Sequence, residues 1–322
     1  MRLGRRAVLA AAGTFAFTPG ARAQDFPRGP IRMVIAFPAG GPTDVVGRFV
    51  AHRMSELLGQ QVVVENRSGA SGNIGTASVA AAKPDGQTIL FTASTTALVP
   101  ALYGASLPYD AAKSLTAIAY VASMPLILVV PADGPKTTAE LIARLRKEPS
   151  KYSYPSSGNG GMIHVASYLF AKQAGADVLH VPYRGSAPGM MDTIAGRHAF
   201  QIDTLGTSKG FIESGKLRVL GVGTEKRMPA LPDVPTVEES AGFPYAINTW
   251  YVAFAPAGTP APIIDKLNAV MNQALKHPDM LVKSKELAID WIESTPAQAQ
   301  KFFDDQRAFW DPIVKESGAK AE

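Results

Sequence analysis

From residue 31 onward, short apolar runs alternate with stretches whose apolar residues recur at helical spacing. Residues 31–37 read as a buried strand, and 45–58 as an amphipathic helix. Residues 61–65 predict a second strand and 76–82 a second helix, joined by the small, polar run 68–75. Pro84-Asp85-Gly86 then turns the chain into a strand at 88–92. A second series begins near Pro125, with a buried strand at 126–130. Thr137 and Glu140 form a capping-box pattern ahead of a helix at 139–147. A strand at 152–154, a helix at 163–173 and a strand at 178–181 follow. Next come a loop at 184–188, a helix at 189–195, and strands at 200–203 and 217–222 around a short helix near 210–214. The proline-rich stretch 227–244 predicts an irregular crossing segment, 245–254 a strand, and 262–275 and 296–314 closing helices.

This alternation predicts an α/β protein of mostly parallel sheets flanked by helices, in two units. Ligands of such sheets gather beyond the carboxyl ends of the strands. At one such end lies Phe37-Pro38-Ala39-Gly40-Gly41-Pro42-Thr43-Asp44. Two adjacent glycines let the backbone approach a ligand closely. The free N–H groups at the following helix start suit an anion. Residues 156–161, Ser-Ser-Gly-Asn-Gly-Gly, join a strand to a helix in the same way and form a second anion nest or, failing that, a loose loop. Two nests suit a dicarboxylate, or a carboxylate with a polar tail.

Other candidates have two readings each. Thr43 and Asp44 are good helix caps, but the adjoining glycines serve no capping need, and Asp44 beside an anion reads as the residue that orients the loop. Arg184 could clamp a carboxylate with its planar fork or fix its own loop. Asp203 could accept from a ligand or close an Asx turn. Trp250 and Tyr251 could line a cleft or fill the core. His52, His164, His180, His198 and His277 share no metal-like spacing, so no metal or cofactor is expected, and His164 is read as packing against or capping its helix.

The N-terminus changes the picture of where the chain works. Arg2, Arg5 and Arg6 precede an apolar run at 7–17 and the small-x-small site Ala21-Arg22-Ala23. That order predicts a signal peptide, residues 1–23, cleaved after Ala23 by a Sec or a twin-arginine route. Removing it takes away four arginines and no acid, so the formal charge falls from +5 to +1. The remaining balance demands neither nucleic acid nor an anionic membrane as partner. The absence of cysteine excludes disulfides and thiolate chemistry. With an export signal it points to a periplasm.

An enzyme reading starts from Gly206-Thr207-Ser208-Lys209-Gly210, which matches the nucleophile elbow of serine hydrolases. Asp233 or Asp265 with His277 would have to complete the triad. The match is short, and His277 has no visible orienting partner.

Several motifs occur in a specific order. Phe37–Asp44 is followed by Gly47-Arg48, then Val62-Val63-Val64-Glu65-Asn66-Arg67 and Gly69-Ala70-Ser71-Gly72-Asn73-Ile74-Gly75. Pro84-Asp85-Gly86, Ser156-Ser157-Gly158-Asn159-Gly160 and Val181-Pro182-Tyr183-Arg184-Gly185 come next. Leu231-Pro232-Asp233-Val234-Pro235-Thr236 and Phe254-Ala255-Pro256-Ala257-Gly258-Thr259-Pro260 complete the set. Over essentially the whole chain after the leader, it closely resembles the Bug-type solute receptors of tripartite tricarboxylate transporters. The resemblance implies a non-catalytic periplasmic binding protein of type II two-lobe α/β fold, working as a monomer. It implies lobes at 24–123 plus 248–322 and at 124–247, with a small organic acid held between them. Membrane permease subunits, or in some relatives a sensor kinase, would be its partners. By position, the implied ligand contacts are Phe37, Ala39, Gly40, Gly41, Thr43, Asp44 and Ser94 from one lobe. Ser156, Ser157, Gly158, Asn159, Arg184, Ala187 and Asp203 would contribute from the other. The chain departs from the family at His198-Ala199-Phe200-Gln201-Ile202, where Phe200 and Gln201 are unusual. Strand alternation turns one of these towards the cleft or buries both.

Overall fold

The computed structural model describes residues 26–148 and 150–321, so the predicted signal peptide lies outside the described residues. The chain opens with β1 (Ile31–Ile35), α1 (Pro42–Leu58), β2 (Val62–Asn66), α2 (Asn73–Ala80), β3 (Thr88–Ala93) and α3 (Thr95–Tyr103). β1 lies between β2 and β3 and is parallel to both. A strand of 17 residues, β4 (Leu115–Pro131), comes next. The second series follows: α4 (Thr138–Lys147), β5 (Ser153–Ser156), α5 (Met162–Gln173), β6 (Leu179–Pro182), α6 (Ser186–Ile194), β7 (Gln201–Thr204), α7 (Leu205–Glu213) and β8 (Leu217–Val222). A short α8 (Val237–Ala241) leads to β9 (Asn248–Pro256), and α9 (Ala261–Leu275), α10 (Pro278–Leu287), β10 (Asp290–Trp291) and α11 (Pro296–Glu316) close the chain.

β4 organises the molecule. Its first part pairs antiparallel with β9, from Leu115 opposite Pro256 to Pro125 opposite Asn248. From Leu126 it pairs instead with β7 and β8. The change of partners falls at Pro125, which has no N–H to give to a ladder. One strand therefore runs through two sheets, one in each lobe. The expectation of mostly parallel sheets is corrected here. β1–β3 and the β5–β6 pair are parallel, but β9, β10, β7 and β8 join antiparallel, so the sheets are mixed. Alternating helices and strands cannot reveal this, because every antiparallel pair includes β4 or β9, whose partners lie far off in sequence.

Strand parity sorts the core. Val34, Leu90, Trp250, Val252 and Phe254 fall in one apolar cluster with Val79 of α2, Leu98 of α3 and Phe303 and Trp310 of α11. Met33, Ile35, Ile89, Phe91, Tyr251 and Ala253 face the other way, against α1 and α9. Trp250 and Tyr251 are thus core, not cleft lining. The first apolar cluster continues into the second lobe through Leu126, Leu128, Tyr154, Phe170 and Phe200. α3 and α10, unforeseen in the sequence, and α8, inside the segment expected to be irregular, complete the layers. Among the described residues no helix is long and apolar enough to cross a membrane.

Candidate ligand cleft at the strand ends

The first loop lies between the end of β1 and Pro42 at the start of α1. Gly40 has φ +78, a conformation a Cβ disfavours, and the space beside it is open. Gly41 is the N-cap, and no side chain caps α1. Asp44 turns inwards. Its carboxylate accepts from the Gly40 N–H at 2.9 Å, from Arg48 Nε at 2.9 and 3.0 Å, and from Asn66 Nδ2 at 2.8 Å. Asn66 Nδ2 also donates to the Phe37 carbonyl at 3.0 Å. Burial works against ionisation of Asp44, but the bonds from Arg48, Gly40 and Asn66 outweigh it and hold the carboxyl below its usual range. Asp44 therefore orients the loop. Thr43 is buried beside it, and Ala39 is exposed at the tip. Phe37 is half-buried over Gly72, where a Cβ would come within 3.2 Å of the ring.

The second loop starts at Ser156, whose Oγ donates to the Gly158 carbonyl at 2.8 Å and lies 2.7 Å from His180 Nε2. Gly158 (φ +147) and Gly160 (φ +70) take backbone conformations suited to glycine, and Gly161 is the uncapped N-cap of α5. His164 Nδ1 accepts the Gly160 N–H at 3.1 Å, which fixes the entry to the helix. Ser157 and Asn159 are half-buried. Across the lobes, a Cβ on Gly160 would meet Leu102 of α3 at 2.9 Å.

Helix starts distinguish this end of the molecule. α4, α8 and α11 are capped by Thr137, Thr236 and Thr295, and α7, which leaves the end of β7, is capped by Thr204. The helices that leave the ends of β1, β2, β3, β5 and β6 carry no side-chain cap; their N-caps are Gly41, Gly72, Ser94, Gly161 and Gly185. The first N–H of α2, on Asn73, donates to the Ala70 carbonyl; the first N–H groups of the other four are left for another acceptor. α9, which begins after Pro260, is uncapped as well.

Arg184 is exposed and, among the described residues, its side chain makes no hydrogen bond or ion pair. Ala187 is not in a loop as expected, because α6 begins at Ser186. Ser94 is fully buried with its hydroxyl 2.9 Å from that of Thr249 on β9. Asp203, 1% exposed, has its oxygens occupied by Gln201 Nε2, the Thr204 N–H and the Thr207 hydroxyl. Burial raises its carboxyl pKa, against the pull of these donors and of Ser186. It ties α6 and α7 to the end of β7. Phe200 and Gln201 are both buried, and Gln201 accepts from Thr193 at 3.0 Å. A groove of about 950 Å³ lies elsewhere, beside Pro125, Asn248, Arg227 and Phe302.

Sequence reasoning missed the parts that hold the loops: Arg48 and Asn66 under the first, His180 under the second. Arg48 and Asn66 stand in the quoted motifs, and their polar side chains beside a glycine loop were the available signal. The hydrolase reading fails on geometry. Ser208 lies inside α7, fully buried, and its Oγ has no hydrogen-bond partner among the described residues. His277 instead accepts the Asp279 N–H at the start of α10. Among the described residues, no three His, Asp or Glu side chains are arranged to hold a metal.

Comparison with known proteins gives a consistent answer. The family model for the tripartite tricarboxylate transporter family receptor matches residues 46–319. The chain is 34% identical to the protein BugT of Bordetella pertussis, over 97% of this chain and 98% of that one. The structure of the periplasmic binding protein BugD superposes with a TM-score of 0.78 at 34% identity, covering 92% of this chain and 99% of BugD. An R. palustris protein solved with adipate gives a TM-score of 0.81 at 33% identity, with the same coverage.

Proposed function

This chain belongs to the tripartite tricarboxylate transporter receptor family of periplasmic solute-binding proteins, and from that premise we propose that it captures a small organic carboxylate, a dicarboxylate or an aromatic acid, between its two lobes. The observation that carries this reading is the set of uncapped helix starts at the strand ends. Those of α1 and α5 follow glycine-rich loops, one in each lobe. Each offers backbone N–H donors and the positive end of a helix dipole, which suits a carboxylate and needs no buried cation. Arg184 adds, on the second-lobe side, a guanidinium without a partner among the described residues. The relative solved with adipate supports a diacid.

Capture works by closure about β4 and β9. Residues 24–123 with 248–322 form one lobe and 124–247 the other, and a ligand touching both favours the closed form. In this reading the backbone at Gly40, Gly41 and Gly158 and the side chains of Thr43, Ser157, Asn159 and Arg184 meet the ligand. Asp44, Ser156 and Asp203 shape the loops. The closed form is then recognised by membrane permease subunits, after export to the periplasm and cleavage behind Ala23. A thermal-shift screen of residues 24–322 against mono-, di- and aromatic carboxylates tests this. One acid class should raise the melting temperature by mass action. A flat response across the panel would contradict the proposal.

A further inference from the structure

The partnerless Arg184 raises the question of what holds its turn. The backbone on either side is fastened to the second loop. Tyr183 N–H donates to the Ser156 carbonyl at 3.0 Å, and Gly185 N–H to that of Ser157 at 3.2 Å. The Tyr183 side chain is held by a line of polar groups. Its hydroxyl is 2.7 Å from Asp192 Oδ2 and 2.8 Å from His198 Nε2. His198 Nδ1 lies 2.8 Å from Ser153 Oγ, and an Arg197 guanidinium N–H donates to Asp192 Oδ1 at 2.7 Å. His198 is 5% exposed and meets the Tyr183 ring edge-on, with centroids 5.7 Å apart.

The proton inventory sets the direction of each bond. A carboxylate only accepts, and a phenol has one proton to give. Tyr183 therefore donates to Asp192, and His198 donates from Nε2 to the phenol oxygen. Ser153 gives its one proton to Nδ1 at 2.8 Å in preference to the Arg197 carbonyl at 3.3 Å, so the neutral Nε2–H tautomer completes the line. Burial lowers the imidazole pKa despite Asp192, in keeping with a neutral ring.

We propose that His198 is a positioning residue for ligand capture: through Tyr183 it holds the 183–185 turn, and with it the Ser156–Ser157 end of the second loop, so that Arg184 faces the cleft. This rests on the reading of that loop as a ligand site.

Amide hydrogen exchange at residues 183–186 in the ligand-free protein tests the positioning, and adipate affinity by calorimetry tests its consequence. His198→Gln places an amide donor where Nε2 was and should match the parent in both. His198→Asn reaches only the Nδ1 position. It should speed exchange at 183–186 and weaken adipate about five- to tenfold, as expected for one lost hydrogen bond. Tyr183→Phe removes the same link from the other side and should behave like His198→Asn. In an Arg184→Ala background, His198→Asn should cause a smaller loss than in the parent, the part carried by the Ser156–Ser157 end alone. Unchanged exchange in both link-breaking variants, a glutamine variant as impaired as asparagine, or additive losses would overturn the proposal. A parent that ignores adipate and other diacids would instead sink the capture reading, while the exchange arm still decides the positioning.

Discussion

Acid should weaken this fold through two stacked histidines. The rings of His164 and His180 lie 3.5 Å apart and 8° from parallel, behind the second loop. His164 accepts the Gly160 N–H, and His180 pairs with Ser156. Burial, and then the neighbouring His180, lowers His164 from 6.5 to about 3; burial lowers His180 to about 4. Both are depressed, so the unfolded chain binds more protons below 6.5. Stability is therefore full above that value and falls as the pH drops from about 6.5 towards about 4 and then about 3. At about pH 5 the cost is set by the unfolded histidine, RT ln(1 + 10^1.5), or about 2 kcal/mol each. That figure hardly changes whether the folded value is 3 or 4. His180 is partly open to solvent, so its share falls by about half, leaving about 3 kcal/mol for the pair. Urea unfolding at about pH 7.5 and about pH 5 reads this directly. His164→Asn keeps an acceptor near Nδ1 but cannot titrate. It should lose about 2 kcal/mol less than the parent between the two conditions. Equal losses in parent and variant would refute the reasoning, because other titrating groups cancel in the comparison.

Further outcomes follow from the same contacts. Gly75→Ala should gain about 1 kcal/mol in helix propensity but lose more. Its Cβ would fall 2.7 Å from the Arg67 carbonyl and 2.8 Å from Ala36 Cα, both backbone atoms that cannot swing away. A net cost of about 2 kcal/mol should appear in urea unfolding. Asp44→Asn should cost about 1–3 kcal/mol, since it removes the charge on which Gly40, Arg48 and Asn66 converge; unaltered stability would mean that the carboxylate does not hold the loop. Ser208→Ala should leave stability within about 0.5 kcal/mol of the parent, because the buried Oγ has no partner to lose. A fluorophosphonate probe should leave Ser208 unlabelled.

The alternation of apolar runs, the two glycine loops and the return strand could be read from the residues, because burial on sheet faces and tight strand-to-helix turns leave local marks. The role of Asp44 as a loop organiser was also legible, since a carboxylate beside an anion nest has few other uses. What escaped depended on partners distant in sequence. Ser123-Met124-Pro125 looks like a break, yet β4 runs through it, because the strand exchanges β9 for β7 and β8 there. α3 contains Pro100 and α10 starts at Pro278, and neither helix was foreseen. Asp203 was read as a ligand contact from its place at a strand end, and Ser94 from the family resemblance. Only the folded chain shows Gln201, Thr204 and Thr207 on one and Thr249 on the other.

The central claim is that a carboxylate is held by the backbone of the two glycine loops. Calorimetric titration of Gly41→Val beside the parent, with adipate and its shorter and longer diacid homologues, tests it most directly. A Cβ at Gly41 already comes within 3.3 Å of the Pro38 carbonyl, and a branched side chain would crowd the uncapped start of α1. The account predicts saturable one-to-one binding of at least one diacid by the parent, and affinity at least about tenfold weaker in a folded variant. Equal affinity in the two proteins would contradict it.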